Sequence, residues 1–511
     1  RAHVEGLPGP NAAFAPPALM AAPVAGQTFD VRARFSNRGG ITAAIPPAAS
    51  AAIELQADRG WNVKPGQATG GPNLQRHEQA SARFTVTLAD DVAMSTRPYF
   101  SRKGLQESVY TLNDPSQFGR PASMAPLRAV GRYFIDGVPI EIRQTVVRRE
   151  AKLPYGDVLR EVRSVPRVAV TMTPSNVVIP TGQQANGPTG QQGVPVEVSL
   201  LHNAEEATSG QVTVRVPAGW TVQPASQPFS FARSGERSSY RFTVKPAAID
   251  ARTYQIEAVA TAAGKDYREG YEVIDQRDLE VRYLYRPATA DVRGINVTTV
   301  ANLKVGYVMG IGDSVPQGLQ QLGAQVTLLG ERELASADLS QFDTIMTGTR
   351  AYAVREDLKT YNSRLLDYVK NGGNMVVLYN TQEFVPNTFA PYPGDLPRGA
   401  EEVSEEDSPV TILAPQQQSF NWPNKITAAD FDGWVEQRGS KFFSKWDAQY
   451  TPMISTFDKG QAPQSGGWLT TKVGKGTWTY FAYALHRQLP YGVAGAYRIT
   501  ANLLALNKAP R

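Results

Sequence analysis

Cysteine is absent from all 511 residues. That removes disulfides, thiolate metal ligands, cysteine nucleophiles and a lipidated cysteine together. A long chain without a single thiol suits export into an oxidising bacterial compartment, so a periplasmic or secreted location is expected. Histidine is scarce as well. His3, His77, His202 and His486 are isolated, and no H-E-x-x-H or paired His/Asp spacing would build a metal site. No metal and no cofactor are expected. No apolar run approaches the roughly 18 residues of a membrane span. The net charge of +5 is spread along the chain without a basic arm, so no nucleic-acid partner is expected. The chain opens on Arg1 rather than Met, so removal of a signal peptide or a longer N-terminal region is expected.

What is present is a globular composition, 41% hydrophobic and 19% charged. It is long enough for two to four cores. With 44 Gly and 37 Pro, turns and strands are favoured over long helices. Before residue 290 the pattern alternates apolar with polar residues and stops at turn residues. "QTFDVRARFSNRG" (27–39) and "VPVEVSLLHN" (194–203) read as antiparallel sandwich strands. There is also a repeat. "GWNVKP" (60–65) precedes "ARFTVTLADD" (82–91), and "GWTVQP" (219–224) precedes "YRFTVKPAAI" (240–249). Trp61 and Trp220 are 159 residues apart, and Arg83 and Arg241 are 158 apart, which implies two copies of one β-sandwich. Each Trp is expected to fill its core, with carbohydrate stacking as the rival reading. A long ordered loop is expected over 95–126, another loop over 187–195, and a linker over 285–294.

After residue 300 strands alternate with helices. Strands are expected at 303–309, 325–329, 342–348 and 375–379, and helices at 314–323 and 354–373. In the longer helix Val354, Leu358, Tyr361, Leu365, Leu366 and Val369 share a face. A hairpin over 467–484 and a helix over 493–506 close the chain. Continuous apolar strands in this order predict a doubly wound parallel sheet. The fold class is therefore multidomain β plus α/β.

Ligands bind such a sheet at the carboxyl ends of its strands. The loops there are "MGIGDS" (309–314), "GTRAY" (348–352) and "NTQEF" (380–384). They offer Asp313, Arg350, Tyr352, Asn380, Gln382 and Glu383 as pocket residues, with His486 and Arg487 able to reach the same rim. "GDSV" (312–315) resembles the opening block of GDSL-type esterases, with Ser314 as nucleophile. The D-x-x-H partner is missing, since Tyr483 stands three residues before His486. A turn that caps the next helix is the simpler reading. "MGIGDSV" also lacks the third glycine of a dinucleotide fingerprint. "EEVSEED" (401–407) lacks the Asp/Asn and Gly pattern of a calcium loop and reads as a solvated segment. Five of the seven Trp residues fall between 422 and 478. Trp422, Trp434 and Trp446 are candidates for a sugar- or protein-binding aromatic face, against the alternative that they pack down an insertion.

The stretches "VGYVMGIGDSVPQGLQQLGAQVTLL", "YNTQEF", "FAPYP", "SPVTIL", "NWPNKITAADFDGWVEQRG" and "RQLPYGVAGAYRITANLLAL" resemble the C-terminal region of large secreted bacterial PIG-L (LmbE-type) family deacetylases. The resemblance covers most of 165–511 and, more loosely, 1–164. It implies two immunoglobulin-like β-sandwiches, over 1–164 and 165–286. A flavodoxin-like, amidotransferase-like domain follows over 287–511, with a Trp-rich insertion at about 385–466. The family's H-P-D-D zinc motif has no match here, so no catalytic residue carries over. The amidotransferase-like domain implies a cysteine at the elbow after "MVVLY", where this chain has Asn380. The expectation is a non-catalytic, extracytoplasmic binding or scaffold protein that contacts a glycan or an envelope protein. The alternatives are a structural subunit docked peripherally on a membrane complex and an esterase using Ser314.

Overall fold

A computed structural model describes residues 2–5, 19–46, 52–104, 107–152, 154, 156–181, 193–276, 278–399 and 401–510. Most of the expected loop at 187–195 lies outside them. The chain is a β-rich multidomain protein. No helix among the described residues is long and apolar enough to cross a membrane.

The first unit has two main sheets, and the expected loop over 95–126 carries a short hairpin of Phe100–Ser101 with Thr111–Leu112. One orders its strands Asp157–Glu161, Val147–Ala151, Ala2–Glu5, Thr28–Ser36, Gln79–Leu88 and Trp61–Thr69. The other runs Val138–Thr145, Leu127–Ile135, Ala43–Ala44 and Asn73–Leu74, with Ile53–Ala57 also paired to Leu127–Ile135. Side chains on a strand alternate between faces. In Gln79–Leu88 that buries Ala80, Ala82, Phe84, Val86 and Leu88 in one core. The second unit repeats the scheme. Val168–Thr173, Val194–His202, Arg237–Lys245 and Thr221–Gln223 form one sheet. Asn176–Pro180, Thr289–Ile295, Thr253–Ala262, Thr208–Arg215 and Gln227–Phe231 form the other, with Lys265–Tyr267 added to Thr253–Ala262.

The repeated motif occupies the same place in each unit. Gly60 and Gly219, both at positive φ, turn the chain into a strand that pairs with the F-T-V strand. Val63 lies opposite Val86, and Val222 opposite Val244. Trp61 is 5% and Trp220 8% exposed, each within its unit's core. Neither ring presents a face for a sugar to stack on.

Two expectations change. Residues 285–294 are not a linker. Ala288, Ala290 and Val292 are buried, and Thr289–Ile295 pairs with both Thr253–Ala262 and Asn176–Pro180. The Pro and Thr content hid a short alternating strand. The expected helix over 354–373 is broken into Ala351–Val354, Glu356–Thr360 and Asn362–Lys370. Arg355 takes an extended conformation at the first break. Its guanidinium bonds Asp357 and the carbonyls of Met309 and Leu329, tertiary contacts that a continuous helix would not supply.

The junctions differ in kind. Between the first two units a small apolar cluster of Ala22, Val24, Val165 and Ala204 is ringed by ion pairs such as Arg97–Glu269 and Lys265–Asp90. Such exposed pairs contribute little each. The second and third units share a core. Val178 packs with the third unit's side chains, and its N–H donates to Gln321 Oε1, which also accepts from Tyr497 Oη.

The third unit holds a seven-stranded sheet. Its elements are β1 (Lys304–Val308), α1 (Val315–Gln321), β2 (Gln325–Leu328), β3 (Thr344–Thr347), α2 (Asn362–Lys370), β4 (Asn374–Leu378), β5 (Thr451–Pro452), β6 (Trp468–Val473), β7 (Gly476–Phe481) and α3 (Ala494–Ala505). The order is β2-β1-β3-β4-β7-β6-β5. The pairs from β2 to β7 are parallel, and β6 pairs antiparallel with its neighbours. From β1 the chain goes to one side for β2 and returns to the other for β3. Between β1 and β3 lies the switch point where the strand-end loops part.

Replacing Trp220 or Trp61 by Ala leaves a cavity worth about 3–5 kcal/mol. Urea denaturation is expected to show a lowered midpoint for the unit that carries the change.

Candidate functional site

The loops beyond β1, β3 and β4 meet on one carboxylate. Asp313 Oδ1 accepts from Tyr307 Oη at 2.8 Å and from Val315 N–H at 3.1 Å, and Oδ2 accepts from Thr349 N–H at 3.1 Å. It thus caps α1, fixes the loop after β3, and satisfies a phenol buried at the end of β1. Ser314, at the cap position itself, makes no capping bond, and its hydroxyl has no hydrogen-bond partner among the described residues. Burial, together with the Asp313 carboxylate, holds Tyr307 well above its ordinary range and therefore protonated. The two loops cross so closely that a Cβ on Gly310 would sit 1.9 Å from Thr349 O. A Cβ on Gly348 would sit 2.6 Å from Tyr307 Oη.

Beside this knot lies an open cleft of about 470 Å³ at the switch point. Asp313, Arg350, His486 and Arg487 line it, so four of the eight expected pocket residues come together. Arg350 adopts the left-handed conformation at φ 55°, held by its N–H to Tyr379 O at 2.8 Å. Its guanidinium has no ion-pair partner among the described residues, and its Nε is buried without a hydrogen bond. Arg487 pairs with Glu436 through one terminal nitrogen, but its Nε is likewise unsatisfied. Thr349 Oγ1, also on the lining, is a third buried orphan. His486 packs against Tyr379 with ring centroids 5.9 Å apart. Burial lowers its imidazole below the ordinary value, partly offset by Asp313, so it is neutral at pH 7.

The other four expected residues lie off this lining. Tyr352 is fully buried, and its hydroxyl donates to Asn362 Oδ1 at 2.7 Å. Asn380 is also fully buried; Oδ1 accepts from Tyr352 N–H at 3.0 Å and Nδ2 donates to Leu378 O at 2.7 Å. Both groups fix the turn and meet no solvent, so they cannot be ligand contacts. Gln382 bonds Glu383 at the surface. Glu383 accepts from Thr381 Oγ1, which holds its carboxyl below the usual range, with Arg350 adding to the effect.

The cleft also contains residues that loop position alone did not single out. Tyr379 is the last residue of the apolar run before the elbow. Glu436, Gln437 and Ser440 come from the Trp-rich insertion, which folds back over the sheet. Glu436 is a second non-glycine residue in the left-handed region, at φ 64°. Backbone strain of this kind gathers at functional sites.

The expected aromatic face is corrected at Trp434. Trp434 is 1% exposed, stacks with Phe431, and donates its indole N–H to Asp430 O. Trp422 and Trp446 are half-buried against the same core. These rings pack the insertion down, because a long irregular segment needs large side chains to hold it. Among the described residues no group of three or more His, Asp or Glu is placed to hold a metal ion.

Replacing Asp313 by Ala strands the Tyr307 hydroxyl and two backbone N–H groups, a loss of about 3 kcal/mol or more. Tryptophan fluorescence, dominated by the third unit, is expected to show that unit unfolding at lower urea, with the first unit unchanged.

No family model matches the chain, and no curated protein matches it. Solved structures align with parts of it. A β-galactosidase from Rahnella sp. R3 shares 16% identity over 43% of this chain, with a TM-score of 0.26. An exo-β-1,4-mannosidase from Opitutaceae bacterium strain TAV5 shares 13% over 39%, with a TM-score of 0.24. The Calx CBD1 domain shares 11% over 25%, with a TM-score of 0.15, and is covered over 96% of its own length. The chain spans 32% and 35% of the two glycosidases.

Proposed function

We propose that this chain is a non-catalytic binding and scaffold protein of the bacterial cell envelope, the accessory region of a PIG-L-type deacetylase. In this reading the first two units are immunoglobulin-like sandwiches. The third is an amidotransferase-like domain that has lost its chemistry. One observation carries the reading. At the elbow after β4, where such a domain holds its nucleophile, Asn380 is buried and its amide is committed on both sides to backbone groups. An amide with no exposed atom does not attack a substrate. The absence of cysteine supports both the lost chemistry and the oxidising compartment. The cleft is then a recognition site, with an envelope glycan as its preferred partner.

The purified chain, incubated with N-acetylglucosamine oligomers and separately with glutamine, is expected to release neither acetate nor ammonia. A fluorophosphonate probe is expected to leave Ser314 unlabelled. Turnover of either substrate, or labelling of Ser314, contradicts the reading.

A further inference from the structure

The strand-end cleft has a definite chemical character, and the following rests on its being a recognition site rather than a reaction centre. Three features describe what it fits. The first is charge. Of the two arginines on the lining, Arg487 is neutralised by Glu436, and Asp313 is committed to three donors within the protein. Arg350 makes no ion pair among the described residues, although Glu383 is near enough to feel its charge, and its planar fork matches one carboxylate. A polyanion would face Asp313 and Glu436 as well, so a single negative charge is favoured.

The second feature is shape. Tyr379 and His486 form a packed aromatic wall, and Tyr491, 38% exposed, stands at the rim. His486 is uncharged, so the wall adds no charge beside Arg350 and offers ring surface to a flat partner. The third is the mixture of donors and acceptors. Gln437, the Glu436 carboxylate and Ser440 line the cleft from the insertion, and Arg350 and Arg487 line it from the strand-end loops. Such a mixture supplies both donors and acceptors for a ligand's hydroxyls. Donors and acceptors side by side next to an aromatic wall suit a pyranose ring.

We propose that the cleft binds an acidic sugar, a single pyranose carrying one carboxylate, with the carboxylate on Arg350 and the ring against Tyr379 and His486. Its volume is that of a one- or two-residue ligand site, within the roughly 300–1,000 Å³ of small-molecule pockets. The position follows from topology, since Asp313 and Arg350 come from the two loops that part at the switch point between β1 and β3.

The test is calorimetric titration of the whole chain with D-glucuronate, D-glucose and inorganic phosphate. D-glucuronate is expected to bind with millimolar or better affinity and to be recovered unchanged. D-glucose is expected to bind at least about tenfold more weakly, for want of the charged hydrogen bond. Phosphate is expected not to compete. Arg350→Gln is expected to weaken glucuronate at least about tenfold, and Arg350→Lys, which keeps charge but not the fork, less than that. Arg332→Gln, an exposed change away from the cleft, is expected to leave the affinity unaltered. The proposal is overturned by no glucuronate binding, by equal affinity for glucose, by displacement with phosphate, or by unchanged affinity in both Arg350 variants. Chemical conversion of the sugar would instead overturn the non-catalytic reading, whereas absence of binding leaves that reading standing.

Discussion

The third unit depends on one carboxylate. Asp313 ties the end of β1, the start of α1 and the loop after β3 through three hydrogen bonds made inside a close crossing of loops. A charged acceptor with several donors is among the stronger polar arrangements a protein makes. Gly310 and Gly348 follow from the same constraint, because the crossing leaves no room for a Cβ. With the loops fixed, Arg350 is held in a left-handed conformation and its guanidinium is delivered to the cleft.

The elbow after β4 uses polar groups in a second way. Asn380 and Tyr352 are fully buried, and each bond their side chains make is internal. In a reactive elbow the side chain at this place must be exposed and its hydrogen bonds must be available to a substrate. Here the sharp strand-to-loop turn carries a buried amide that bonds only backbone groups. What faces solvent are Arg350, His486 and Arg487, residues suited to recognition. The Trp-rich insertion contributes by folding over the sheet, so that Glu436 and Gln437 close one side of the cleft.

Much of this was legible in the residues. Period-two alternation in "QTFDVRARFSNRG" and the Trp61/Trp220 repeat pointed to paired strands in two β-rich units, because burial on one face leaves a direct mark. The apolar runs within 303–309, 342–348 and 375–379 were equally plain, since strands covered on both faces are mostly apolar. Three things were hidden. Thr289–Ile295 is strand because of its neighbours, with composition against it. The break at Arg355 arises from contacts with Met309 and Leu329, far away in sequence. Trp434 could be read as a binding residue or as packing for the insertion, and only the fold shows that its ring is inside. For the site, loop position identified Asp313, Arg350, His486 and Arg487. It did not separate solvent-facing Arg350 from buried Tyr352 two residues later, because that depends on how a short helical turn is seated. Glu436 and Gln437 were out of reach, since nothing local in the insertion says where it folds back.

The central claim is that the switch-point cleft is a recognition site organised by the Asp313 knot and read by Arg350. A crystal structure of the chain grown with saturating D-glucuronate tests it most directly. The account predicts the sugar ring against Tyr379 and His486, its carboxylate on the Arg350 guanidinium, and Asn380 still buried with both bonds intact. A sugar bound elsewhere with the cleft empty, or Asn380 turned out to meet it, would contradict the account.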